Sequence, residues 1–478
     1  MDAEQIRSLR PKLRKFLAQF DDCFVRSDTR GHLPVYVEGQ LSDLPRKNCE
    51  PIADAAGIPP RTLQQFLSLL DWDHVRMKSQ LQALVACEHA SPRSIGIIDE
   101  TGCAKKGEKT PGVQRQWCGA TGKKDNCVVT VHLGYGVDDF HCLLDSELFL
   151  PESWSQDRPR CRAAAIPDEM VHRPKTRIAL ELYDRAVASG VTFAWLTFDE
   201  GYGKSPAFLE AVRGRGQKFV AEVPVTFTGW ITPPRVTHRA LRRRRGRPRK
   251  TPRLIASSRP ALGVADHLKY SPELCNQPWQ AWHVKDGEKG PMVWEVKHVW
   301  FYPKGEDDLP LAPVHLIVAR SVLEPEKLKF FVAHAPRETP LSVLLHVAFS
   351  RWHVERCFED QKTELGFDHF EGRSYLGLIR HQTITALTHL FLSRVHQEWR
   401  GGKSGTDGLP SSHRSRGLGP VVVAHGKSRD LHPPARRRHH HRHPEPQSPL
   451  PQESPQTHSP SPPCPRHLHP PLAKMQVG

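Results

Sequence analysis

The sequence predicts an α/β fold preceded by a helical segment, on three observations. Apolar residues recur at helical spacing up to about residue 88, the pattern turns strand-like from residue 94, and strand and helix signals then alternate.

Ile6, Leu9, Leu13, Phe16, Leu17 and Phe20 mark the first helix, with Pro11 near its start or at a kink. Glu50 to Phe66 reads as a helix, a turn at Gly57 and a second helix. Such a unit either lays its second helix in a DNA major groove, with Arg61, Gln64 and Gln65 as candidate contacts, or is a plain αα-hairpin. Leu67, Leu69, Leu70 and Trp72 supply apolar packing in both cases.

The first strand is Ser94-Ile-Gly-Ile-Ile-Asp99, ending in a carboxylate followed by turn residues. After a Lys-rich loop (Lys105, Lys106, Lys109) come alternating runs at 128–133 and 142–149, giving three adjacent strands. Residues 175–189 suit a crossover helix, 191–198 a strand, 204–213 a helix and 217–222 another strand. The strand at 191–198 repeats the design of the first, with Asp199 and Glu200 at its end before Gly-Tyr-Gly. Ligands in open α/β sheets gather beyond strand ends, so Asp99 and Asp199 are candidate metal-binding acids. Each also reads as a turn or cap residue. Because neighbouring strand residues point to opposite faces, Glu100 and Glu200 should face away if Asp99 and Asp199 face a site.

A third acid lies far downstream. In a helix over Arg351-Trp-His-Val-Glu355-Arg-Cys-Phe-Glu-Asp-Gln-Lys362, the residues Arg351, Glu355 and Lys362 share one face. That face places a carboxylate between two cations and could hold a metal ion beside a phosphate. It also describes an ordinary salt-bridged surface. His353 reads as a helix-surface residue. Three acids from distant parts of the chain meet the need of an in-line phosphodiester displacement, in which two Mg²⁺ ions roughly 3.5–4 Å apart activate the attacking oxygen and stabilise the leaving one.

Composition agrees. With 68 Lys+Arg against 52 Asp+Glu among 478 residues, the net charge of +16 favours a polyanionic partner. There is no apolar run near membrane-spanning length and no signal-peptide pattern, which predicts a soluble cytoplasmic protein. The eleven cysteines are scattered singly without a C-x2-C pair, so they read as reduced packing residues. The spacings of Cys103, Cys118, Cys127 and His132 match no zinc pattern.

Taken together, these residues resemble the bacterial insertion-sequence transposases of the DDE superfamily. Asp99 matches the family's first acid, Asp199 its second and Glu355 its third, within the helix motif Y-x2-R-x3-E-x6-K. Arg351, Glu355 and Lys362 match the last three letters; Ala348 stands where the Tyr belongs, with Phe349 one residue later. Glu364-Leu-Gly-Phe-Asp-His-Phe-Glu-Gly-Arg373 and Leu378-Ile-Arg-His381 are also similar to this branch. The resemblance covers roughly residues 1–400. It implies a ribonuclease-H-like catalytic core over 89–400, with Asp99 on the first strand and Asp199 on the fourth, and a helical DNA-binding domain over 1–88. It further implies Mg²⁺ (or Mn²⁺) on Asp99, Asp199 and Glu355, and phosphate contacts for Arg351 and Lys362. The expected partners are the terminal inverted repeats and target DNA, bound by a homodimer, with the protein at the bacterial nucleoid and no membrane. Two alternatives stay open: an inactive DNA-binding relic, and a metal-dependent nuclease without strand transfer.

Between Asp199 and Glu355 the chain is longer than one βα step needs, and Trp279, Trp282, Val293, Trp294, Val296, Val299, Trp300 and Tyr302 fall in short strand-like runs. This predicts an inserted β subdomain at about 225–312, where related transposases hold DNA ends. Within it, Arg242 to Lys250 is the densest basic run; Arg245, Arg247 and Arg249 are candidate DNA contacts, either in an A·T minor groove or on the phosphate backbone generally. Past residue 400 the composition shifts to Gly, Ser, Pro, His and Arg, predicting a disordered tail over 401–478. A shifted reading frame in the gene would produce so abrupt a change, and translating its other frames would reveal one.

Overall fold

The structure is a computed structural model that describes residues 3–237, 251–287 and 290–401. Arg245, Arg247, Arg249 and the tail from residue 402 lie outside the described residues.

Five helices come first: α1 (Ala3–Leu17), α2 (Ser27–Gln40), α3 (Cys49–Ala56), α4 (Pro60–Ser68) and α5 (His74–Glu88). Gly57 closes α3 at φ 69°, a left-handed conformation that glycine adopts without the strain a Cβ brings, and Pro60 starts α4 with its φ already helical. Strands β1 (Ile95–Ala104), β2 (Gln114–Cys118), β3 (Lys123–Val137) and β4 (Phe140–Leu148) follow, then α6 (Glu152–Ser155), α7 (Arg158–Ala163) and α8 (Lys175–Ala188). The chain continues through β5 (Trp195–Phe198), α9 (Glu200–Gly203), α10 (Pro206–Gly214) and β6 (Phe219–Val223). Next come β7 (Thr228–Trp230), β8 (Val236–Thr237), β9 (Arg253–Leu254), β10 (Leu262–Gly263), α11 (Val264–Tyr270), α12 (Pro272–Cys275), β11 (Gln280–Gly287) and β12 (Gly290–Pro303). The remainder is β13 (Val314–Ser321), β14 (Leu328–His334), α13 (Leu341–Phe349), α14 (Trp352–Leu365) and α15 (Tyr375–Gly401).

Among the described residues one twelve-stranded sheet runs β10-β7-β12-β13-β14-β6-β5-β1-β3-β2, with β4 beside β3 and β11 beside β12. In the segment β4-β3-β1-β5-β6 the strands β4, β1, β5 and β6 run the same way and β3 alone is antiparallel to its neighbours, an arrangement that fits a ribonuclease-H-like core. Of the strands within 225–312, β7, β10, β11 and β12 join this sheet through the β12–β13 and β13–β14 ladders, whereas β8 and β9 form a separate two-stranded sheet.

Two strand expectations change. The short strand β2 was missed, so Asp199 follows the fifth strand in chain order rather than the fourth. β2 is a mostly accessible edge strand with no apolar run, and pairing with β3 holds it in place. Asp99 does not end its strand either: β1 continues to Ala104 because long β3 pairs it to Cys127, whereas parallel β5 stops at Phe198.

The sheet separates two apolar clusters. Ile95 and Ile97 of β1 pack with α13 and α14 through Leu344, Leu345, Val354 and Cys357, whereas Ile98 faces the cluster that includes Ile178 and Leu182 of α8. The larger cluster also holds Leu9 to Val85 of the helical segment and Leu378 to Val395 of α15. Polar contacts tie the same elements: Tyr36 Oη lies 2.9 Å from His381 Nδ1, and Gln40 Nε2 donates to Thr385 Oγ1 at 2.7 Å. Arg380 donates to the carbonyls of Leu70 and Trp72, each at 2.7 Å, just past the C-terminal end of α4.

Candidate active site

Asp99 lies in mid-strand with the parity of Ile95 and Ile97, which turns it toward α14, and it is buried. Its parallel neighbour pairs Phe198 with Ile98, so Asp199 comes next along the adjacent strand, where β5 ends and the sheet opens beside Asp99. Asp199 also caps α9, accepting from Tyr202 N at 3.3 Å, so its cap reading and its site reading both hold locally. The glycines on either side of Tyr202 permit this turn. A Cβ on Gly203 would stand 2.0 Å from the carbonyl of Glu222, and one on Gly201 would stand 3.0 Å from Asp199 Oδ1.

The third acid arrives on α14, of which Arg351 is the N-cap residue, with helical φ and ψ. The motif is therefore split: Ala348 and Phe349 end α13, with Phe349 packed against Trp294 and Phe331. Gly134 and Gly136 of β3 let α14 lie close to the sheet, since a Cβ at each would already touch Val354 or His353. Arg351 then bridges two of the acids, with Nη1 3.1 Å from Asp99 Oδ2 and Nη2 2.9 Å from Glu355 Oε1. Lys362, on the same face, donates to Thr101 Oγ1 at 2.7 Å and to the Gly102 carbonyl at 3.3 Å. The helix face expected for Arg351, Glu355 and Lys362 thus runs along β1, with Glu355 exposed at its outer edge.

Too little positive charge is present for the carboxylates gathered here. Burial, together with the repulsion of Asp199 and Glu355, pushes the Asp99 carboxyl up to about 7 although Arg351 pulls it down. Asp199 is raised as well, by burial first and then by Glu100, again against Arg351. Burial disfavours the Arg351 charge, yet Asp99, Glu355, Glu222 and Asp199 more than offset this. Such a set of hard oxygen donors, with less positive charge beside it than its carboxylates call for, fits a divalent cation. Among the described residues the three acids are not a set of ligand atoms lying mutually within 4.8 Å.

The other candidates divide clearly. Glu100 turns to the opposite face, where it pairs with Lys175 of α8, and Tyr202 Oη lies 3.5 Å from its other oxygen. Glu200 is exposed. Tyr202 is buried among Asp99, Asp199 and Glu100 and was not singled out from sequence; its place in Asp199-Glu-Gly-Tyr-Gly was the available signal. The surface reading of His353 is wrong. The ring is buried, with Nδ1 2.7 Å from the Ser350 carbonyl and Nε2 3.0 Å from that of Asp138, because α14 seats this side on the glycines of β3. Arg61 and Gln64 on α4 are exposed and Gln65 partly so, well apart in sequence and element from the acids.

Among the described residues no helix is long and apolar enough to cross a membrane. A probable transposase for insertion sequence element IS701 of Microchaete diplosiphon is 34% identical over 168 residues, which are 35% of this chain and 41% of that protein. The chain thus matches only about two fifths of this relative's length. The DDE superfamily endonuclease family matches residues 19–291, more than half of the chain, a stretch that contains Asp99 and Asp199 and stops before Glu355. By that match the chain belongs to the DDE superfamily endonucleases, a family that implies a divalent metal ion.

Proposed function

We propose that the chain is a DNA transposase of an insertion sequence, cleaving at the inverted ends of its element and joining them to target DNA. The observation that carries this reading is the meeting of Asp99 and Asp199 on neighbouring parallel strands, with Glu355 tied to Asp99 through Arg351. Asp99, Asp199 and Glu355 would hold Mg²⁺, or Mn²⁺, which when bound activates water and then the freed 3′-hydroxyl and stabilises the leaving oxygen.

The chain's own residues supply binding and orientation. Arg351 would pass from its two carboxylates to a phosphate oxygen beside the scissile bond, and Lys362 from Thr101 and Gly102 to a neighbouring phosphate. The helical segment over 1–88 is read as the DNA-binding part, with exposed Arg61 and Gln64 and partly exposed Gln65 presented by α4. The strands over about 225–312, and the basic run containing Arg245, Arg247 and Arg249, would gather DNA backbone. A homodimer on paired ends, acting at the bacterial nucleoid, completes the reading; the net charge of +16 supports a DNA partner.

The test is incubation of purified protein with Mg²⁺ and a labelled duplex carrying the element's ends, beside Asp199→Ala. Cleaved and joined products that vanish in the variant are expected. Cleavage without joining would make the protein a nuclease, and binding without metal-dependent cleavage a relic, the outcome that Ala348 in place of the motif's Tyr would favour.

A further inference from the structure

Behind Glu355, on the side of α14 turned away from the acids, lies a second cluster of ligating groups. His141 of β4, Cys357 of α14 and His389 of α15 bring one ring nitrogen or sulfur each to within 4.8 Å of one another. Cys357 and His389 are buried, and His141 is largely so. Neither ring nitrogen of His389 has a hydrogen-bond partner, nor has Nδ1 of His141. A buried imidazole without partners is costly, and native structures seldom leave one. A carboxylate stands beside them: Asp360 Oδ2 lies 3.6 Å from His141 Nε2 and 3.9 Å from His389 Nε2. Arg356 holds its other oxygen at 2.9 Å.

We propose that His141, Cys357 and His389 form a site for a thiophilic divalent cation of the zinc class, with Asp360 as fourth ligand or as the carboxylate that orients the two imidazoles. One sulfur and two imidazole nitrogens select Zn²⁺ or Co²⁺ over Mg²⁺, which takes oxygen. A carboxylate close to ligating histidines, itself held by an arginine, is the usual outer support of such a centre. Binding replaces the proton of the Cys357 thiol, which leaves to solvent, and contracts the cluster by small side-chain rotations. The ion would join three elements, β4, α14 and α15, and so fix the helix that carries Glu355 two residues before Cys357. The site is independent of the transposase reading.

The probe is Co²⁺ added to full-length protein stripped with a chelator. A thiolate-to-cobalt charge-transfer band is expected in the wild type and in Glu355→Ala. Cys464→Ser should also keep it, which separates the site from the His-rich tail, where Cys464 lies. Cys357→Ser should lose it. Absence of the band in the wild type, or its survival in Cys357→Ser, overturns the proposal. Zn²⁺-dependent thermal stabilisation is the second readout. It should be present in the wild type and weakened at least about 10-fold in the Zn²⁺ concentration required by His141→Gln, whose ring is partly accessible and whose loss the fold should tolerate. An unchanged Zn²⁺ response in His141→Gln also overturns it, and this test stands if Cys357→Ser does not fold.

Discussion

Asp99 and Asp145 are both buried carboxylates of the central sheet, and both touch an arginine, yet they behave oppositely. Asp145 on β4 is held by Lys78 of α5 and Arg185 of α8, each at 2.8 Å; burial would raise its carboxyl, but the two cations outweigh burial and lower it. Asp99 has Arg351 alone and shares it with Glu355, and its carboxyl is pushed up to about 7. One group is matched by two cations, Lys78 and an Arg185 that it shares with Glu147, and fastens α5 and α8 to the sheet. The other is short of cations, as the proposed metal site requires. Burial by itself separates neither role; the local charge balance does.

The largest effect should come from the under-neutralised group. Asp99→Asn or Asp199→Ala should lower metal-dependent DNA cleavage by at least about 10²–10³-fold, the usual loss when one preorganised charge-stabilising group is removed, while the fold stays intact by circular dichroism. Asp145→Ala should do the reverse. It leaves Lys78 and Arg185 without their buried partner and should cost about 3 kcal/mol or more in chemical unfolding, with cleavage per folded molecule unchanged. A loss of cleavage in the still-folded Asp145→Ala would break the distinction.

The pH dependence of stability, measured with chelator present, should carry opposite signs at the two positions. The Asp145 carboxyl is lowered in the fold, so its contribution is full above the ordinary carboxylate value and fades as pH falls below it. The Asp99 carboxyl is raised to about 7, so the folded state retains a proton that the unfolded chain releases, and Asp99 costs stability as pH climbs from about 4 through about 7. Asp99→Asn should therefore melt later than the wild type at pH 8, by on the order of 1–2 kcal/mol, with the difference shrinking toward pH 4. The smallest effect sets the scale: Arg177→Ala removes an exposed i, i+4 pair with Glu181 and should change unfolding by under about 0.5 kcal/mol.

Local pattern made much of this legible. The apolar runs ending at Asp99 and Asp199 announced themselves as strands, and Gly57 between two helical patterns marked the α3–α4 turn. The face shared by Arg351 and Glu355 follows from helical periodicity and appears as a 2.9 Å pair. Strand β2 escaped because an edge strand with little burial carries no hydrophobic signal. His353 was misread because an amphipathic pattern cannot register that two glycines on a distant strand clear a seat for it. Cys357 reads as packing and is indeed packed in the core, but no sequence spacing connects it to His141 and His389, the groups that fold beside it.

The sequence by itself determined the α/β class and the basic character, and it nominated Asp99, Asp199 and Glu355 as the acids to test, since class and charge depend on residue type and on periodicities of 2 and 3.6 that neighbours in the chain enforce. Tertiary structure alone decided how those acids meet. β5 stops one residue before Asp199 while β1 runs on, and this opens the sheet at Asp99; Arg351, 252 positions from Asp99 in the chain, then joins it to Glu355. Charge balance in a buried site is a sum over groups brought together by folding. It has no local signature for a sequence to carry.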